Sequence, residues 1–222
     1  MNKNWSIGLA AAWVAALLLN LVELKTITGL PAHPLLLHMP VIFIPSLTIA
    51  AVVFALKPEW RKRYAIPYGI GAVVTMAGTA LAVGAGEAWK EQRGRFADSE
   101  LQHHASLGGN LRIVVIVFTA LVLVQVLADL GAFEQLNKLF EDPADVGALV
   151  LTGSITALAL LGGGLTYATG HAGAEAAFGN DVGGRTGGSG LQQNRGQGQF
   201  NAPQSSGRGE FRGQYFDDQS TR

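Results

Sequence analysis

Apolar residues in this chain gather in five long runs: Ile7–Leu24, Leu35–Leu56, Ala65–Ala85, Leu111–Leu130 and Val146–Thr169. Each is near the ~20 residues that an α-helix needs to cross a hydrocarbon core. The pattern predicts an all-α integral membrane protein with five transmembrane helices. The first run resembles a signal peptide, yet only Lys3 precedes it as a charge and LVELKTI after it offers no small-x-small cleavage site. It is read as a retained anchor over residues 1–29. Residues 30–178 then form a four-helix transmembrane bundle, and 179–222 a separate tail.

Composition strengthens this reading. The chain is 49% hydrophobic and 14% charged with no net charge, and its mean hydropathy is +0.27, whereas a soluble domain is about a quarter charged. There is no cysteine. That excludes disulfides, iron–sulfur ligation and covalently attached haem, and leaves histidine as the strong nitrogen ligand. The neutral balance gives no reason to expect a nucleic-acid partner. The connector KPEWRKRY, with Lys57, Arg61, Lys62 and Arg63, is the most basic. By the positive-inside rule it is cytoplasmic, which puts the N-terminus inside and the tail outside.

The five histidines share one side of the membrane whichever way the chain is inserted. His33 and His38 follow the first crossing, His103 and His104 the third, and His171 the fifth, so an even number of crossings separates each group. An ionisable group at membrane depth is a functional hypothesis by default. His38, about one turn inside its apolar run, is the first candidate. His104 is the second, because successive helix positions point about 100° apart and only one of His103 and His104 can face a given neighbour. His33 is held in reserve. It has a structural use beside Pro34 at a helix start, as His38 has in bonding a carbonyl freed by Pro40.

Histidines on two neighbouring helices, facing across a four-helix interior, are how bundles hold a b-type haem. Gly69, Gly71, Gly78, Gly84, Gly86 and Gly162 to Gly164 clear space for a macrocycle or simply let helices pack closely. Arg112 and Asn110 stand on the flank of His104, where they can meet propionates; Arg112 can equally snorkel to headgroups. One difficulty is height. A fourth crossing that begins at Leu111 leaves His104 about 10 Å above its entry, while His38 lies below its own. Should His33 pair with His104 instead, a small copper or zinc site becomes the more natural reading, since imidazole suits both ions.

LPAHPLLLHMPVIFIP resembles the HPxxxHFP helix start of the bacterial predicted membrane proteins of the DUF2231 family, with Met39 in place of the usual Phe. His104-Ala-Ser-Leu-Gly108 is similar to a later His-x-x-Leu-Gly element of that family, and GGGLTYATG, with Tyr167 and Gly170, to its last helix. The resemblance runs from His33 to Gly170. It implies a helical core like that of small b-type cytochromes, with His38 and His104 as ligands, and a place in the bacterial inner membrane.

From about Gly179 the chain is rich in Gly, Gln, Ser and Arg, and too few apolar residues remain to offset the entropy of ordering. The tail is expected to be a disordered linker or, through Phe200, Phe211, Tyr215 and Phe216, a strap on a partner.

Together these features lead us to expect a subunit of a larger bacterial membrane complex that binds a b-type haem near the extracytoplasmic face and passes electrons. Two alternatives stand beside it: a cofactor-free structural subunit that straps a partner complex with its tail, and a membrane protein that binds extracytoplasmic copper or zinc. No nucleophile–base pair, phosphate loop or carboxylate dyad is legible, so nothing supports hydrolysis or group transfer.

Overall fold

The computed structural model of the protein describes residues 3–93, 99–132 and 145–183. The segments 94–98 and 133–144 and the chain from 184 onward, with the four aromatic residues of the expected strap, lie outside the described residues. Five helices are long and apolar enough to cross a membrane.

The first, α1 (Lys3–Leu18), ends in a 3-10 turn at Leu19–Leu21. A minimal antiparallel ladder follows, β1 (Thr26–Ile27) with β2 (Leu30–Pro31), pairing Thr26 with Pro31 and Ile27 with Leu30. Between them Thr28 and Gly29 hold φ of 50° and 82°, the mirror-image turn that closes two-residue hairpins. The Ala32 N–H donates to the Lys25 carbonyl at 3.1 Å. The chain is thereby turned back sharply, and its next helix starts at once.

That helix comes in two pieces, α2 (Ala32–Leu36) and α3 (His38–Leu56), which together make one span. The break has a local cause: Pro40 has no N–H to return to the Leu36 carbonyl. A short α4 (Pro58–Arg63) precedes α5 (Ala65–Arg93), α6 (Ser99–Asp129) and the last helix, α7 (Val146–Gly183).

The helices overrun the apolar stretches. α5 passes Ala85 to reach Arg93, α6 starts at Ser99 and not at Leu111, and α7 passes Thr169 to reach Gly183. Hydropathy registers where lipid ends, whereas Glu, Lys, Gln and Ala continue a helix readily in water. His104 lies in the second turn of α6, and the height difficulty disappears because the residue that meets it is His33, in the first turn of α2, and not His38.

Helices α3, α5, α6 and α7 form a closed ring in which α5 touches α3 and α6, and α7 touches α6 and α3. α3 and α6 are therefore diagonal partners, not neighbours. α1 packs outside the ring against α5, where a Cβ on Gly69 would stand 3.0 Å from Leu9. The Trp13 indole also donates to the Thr119 hydroxyl at 3.0 Å. One core cluster, with Leu47, Tyr68, Phe118, Val122 and Ile155, fills the half of the bundle away from the histidines. The other, with Ile44, Met76, Leu111 and Val115, lies beneath them. At the far end Arg61 of α4 grips Asp129 of α6 in a bidentate pair, Nε to Oδ2 at 2.8 Å and Nη2 to Oδ1 at 3.0 Å. Both side chains are 3% exposed.

Candidate functional site: two histidines at one end of the bundle

His33 and His104 meet across the diagonal of the ring, with ring centroids 5.9 Å apart and planes at 73°. Each ring is fastened to a different neighbouring helix. His33 Nδ1 lies 2.8 Å from the Ala82 carbonyl of α5, and His104 Nδ1 lies 2.9 Å from the Thr169 carbonyl of α7. A carbonyl oxygen only accepts, so each Nδ1 carries the proton and donates it. In the neutral ring, Nε2 is then the bare nitrogen, with its lone pair free for a ligand. This is how proteins orient metal-binding histidines: the second nitrogen donates to a carbonyl and fixes the tautomer.

The rings approach that closely because glycine lies beneath each. A Cβ on Gly86 would stand 2.8 Å from His33 Cε1, and one on Gly173 would stand 2.9 Å from His104 Cε1. Each glycine comes four residues after the carbonyl that its histidine engages. On its other face His33 stacks with Trp89, centroids 6.3 Å apart at 18°.

A cavity of about 60 Å³ adjoins both rings and is lined by Leu37, Thr79, Val83 and Leu101 among others, with Glu87 and Lys90 on its lining as well. Thr79 is fully buried, and its hydroxyl has no hydrogen-bond partner. An orphaned hydroxyl on the wall of a cavity between two imidazoles points to a polar occupant, since leaving such a group unsatisfied costs about 1–3 kcal/mol. Arg112 forms an ion pair with Glu87, Nη2 to Oε1 at 3.1 Å, which closes that flank of the site.

The other candidates lie elsewhere. His38, the first choice from sequence, is exposed on the outer face of its helix, with Nδ1 3.2 Å from the Leu35 carbonyl. It does not share the cavity with His104. The physical reason is angular: five residues rotate a helix by about 140°, so His33 and His38 cannot both face inward. Asn110 is exposed, and Arg112 is engaged by Glu87. His103 is exposed. His171 stacks on the exposed ring of Tyr167 and lies 3.4 Å from Glu175. Most of the glycines expected to clear space are occupied by packing: a Cβ on Gly78 would meet Met39 at 2.6 Å, and one on Gly84 the Val22 carbonyl at 2.6 Å.

Residues 29–186 match the family described as Predicted membrane protein (DUF2231). The chain belongs to that family. No curated protein and no solved structure matches. The DUF2231 region begins at the β-turn, so α1 precedes it, and it contains every residue of the two-histidine site. Within the family's HPxxxHFP start, the two histidines have parted: His33 enters the site and His38 faces away. Sequence reasoning missed Thr79, Gly173 and Trp89, and had Gly86 only as one of several glycines that clear space. The signal available for the glycines was their place near the ends of α5 and α7, at the level where the histidines enter.

Proposed function

We propose that this DUF2231 protein is a membrane protein that binds one transition-metal ion between His33 and His104, reduced copper by preference. The observation that carries this reading is the pair of carbonyl-anchored Nδ1 atoms, which leave Nε2 as the bare nitrogen of two histidines that line one cavity. Imidazole suits copper and zinc alike. Zinc, however, wants about four protein or water ligands in a tetrahedron, and no group of three or more His, Cys, Asp or Glu side chains that could hold a metal occurs among the described residues. Copper(I) is satisfied by two nitrogens. Two imidazoles sharing an ion at about 2.0–2.1 Å put their centroids roughly 5 Å apart at a tetrahedral angle and roughly 6.5 Å apart in line; the observed 5.9 Å lies between and suits an ion shared by both rings.

A b-type haem is the second reading, favoured by one observation: haem supplies four nitrogens of its own and asks the protein for two axial ligands. The cavity speaks against it. About 60 Å³ takes an ion and a water or two, each water's share of liquid being about 30 Å³, and a macrocycle does not fit in this packing.

The biological role we infer is electron or ion transfer as a subunit of a larger bacterial inner-membrane complex, with the histidine end extracytoplasmic. A centre at one end of the bundle is separated from the far side by a core of about 30 Å, so it needs a partner to move charge across.

The deciding measurement is metal content and absorption spectrum of the purified full chain. One equivalent of copper, lost in His33→Ala and in His104→Ala but kept in His38→Ala, is the expected result. A reduced-minus-oxidised haem spectrum would replace copper with the second reading. A colourless protein that retains no metal would refute both and leave a structural subunit.

A further inference from the structure

The two halves of the bundle place the same chemistry at equivalent positions. A shift of 71 takes His33 to His104 (104 − 33). That shift, fixed by the histidines alone, also takes the four buried residues of α3, Pro40, Ile44, Leu47 and Ala51, to Leu111, Val115, Phe118 and Val122, all buried in α6. It takes Thr48, whose hydroxyl donates to the Ile44 carbonyl, to Thr119, whose hydroxyl donates to the Val115 carbonyl.

In the second helix of each half the shift is 87. It takes Ala82, which receives His33, to Thr169, which receives His104, and Gly86 to Gly173 (173 − 86). The six buried positions of α7 from Ile155 to Ala172 all fall, under the same shift, on buried positions of α5 between Tyr68 and Ala85. One of those pairs is threonine with threonine, Thr79 and Thr166.

Helix contacts follow the same rule. α3 packs on α5 as α6 packs on α7, and the two units meet through α3 with α7 and α5 with α6. Both histidine-bearing helices lead away from the same end, so the relation is a twofold rotation about the bundle's long axis. α1 is the departure from it, packing mainly on α5 with a lesser contact to α6.

We propose that the bundle is one two-helix unit used twice, and that its site lies on the twofold axis. Such a site takes a ligand that offers the same face to both imidazoles: a single metal ion held by two equivalent Nε2 atoms, and not an organic molecule with unlike ends. The ligand half of this inference rests on the metal reading given above; the duplication does not.

Two measurements on the full chain separate the halves. The protein has no cysteine, so introduced pairs report cleanly. Spin labels at Ile42 and Ala157 span α3 and α7, and labels at Ile113 and Ile70 are their twofold equivalents on α6 and α5. All four positions are exposed. Pulsed dipolar spectroscopy is expected to give the same distance for both pairs; distributions that do not overlap overturn the duplication.

The second measurement is competition for copper(I) against a colorimetric chelator. His33→Ala and His104→Ala are expected to lose affinity by the same factor, with His33→Gln and His104→Gln serving if the alanine variants do not accumulate. Gly86→Ala and Gly173→Ala are expected to lose about 10- to 100-fold each, the range for disturbed ligand orientation, and by matching amounts. One histidine variant that retains wild-type affinity overturns the equivalence and, with it, ligation of the ion by both histidines. A wild-type chain that takes no copper overturns the ligand half together with the proposed function, and the label distances still decide the duplication.

Discussion

His33 and His104 owe their role to what surrounds their second nitrogen. A histidine with both nitrogens in water is a weak, mobile ligand; one whose Nδ1–H is held by a helix carbonyl is oriented in advance. The glycine four residues later lets the ring reach that carbonyl. In stability terms, Gly86→Ala forces either the ring or α5 to move, and overpacking of this kind costs about 1–3 kcal/mol. Thr79→Val should behave oppositely. The hydroxyl there is buried without a partner, so a near-isosteric apolar replacement is expected to leave the melting temperature unchanged or raise it. Copper affinity should fall if the hydroxyl serves the occupant. Thermal unfolding in detergent, paired with copper titration, reads both effects.

His38 shows how far residue-level reasoning could reach. Its depth in the apolar run was legible, and depth argued for function. Its direction was legible too, in principle. Leu37, Pro40 and Ile44 follow His33 at helical intervals and face inward, while Val41, Ile42 and Ile49 share the exposed face of His38. What no single sequence reveals is which of two apolar faces lipid covers, because both are equally greasy.

At the scale of elements, the five spans were legible from hydropathy and the helix ends were not. α5, α6 and α7 have 29, 31 and 38 residues, about 44 to 57 Å of helix against a core of about 30 Å. The polar extension is what carries His104 into register with His33. The Arg61–Asp129 pair was also hidden, since Arg61 reads as one of several basic residues in a surface connector. It ties α4 to the end of α6 with both charges out of water. Arg61→Ala strands the Asp129 carboxylate, and such a loss typically costs 3–5 kcal/mol. Arg61→Met combined with Asp129→Leu should recover most of that, because an apolar pair of similar volume often does as well as a buried ion pair. Denaturant titration of the two variants gives the comparison. A smaller effect is expected at α1. Trp13→Phe removes the bond to Thr119 and should lower stability by about 1 kcal/mol, without altering copper binding.

At the scale of the whole molecule, the ring of four helices explains why one end can hold a site and the other cannot. The far end is filled by the larger core cluster and capped by an ion pair, whereas the histidine end thins into a small cavity with charged residues on its wall. The expected arrangement of one helix beside a four-helix bundle is the one observed, but the two histidines that meet span its diagonal and not adjacent helices. Adjacent helices were the natural expectation, because sequence order suggests neighbours. Ring order depends on packing between helices far apart in the chain.

The overrun of three helices past the lipid has a consequence for supply. Glu87 and Lys90 stand at the cavity wall, so the mouth of the site is wetted by the aqueous phase. On the metal reading proposed above, an ion arriving there would exchange its water for imidazole without entering hydrocarbon. On the same reading a soluble carrier would deliver or collect the ion by touching the helix ends, and the bilayer would serve to hold the receptacle upright.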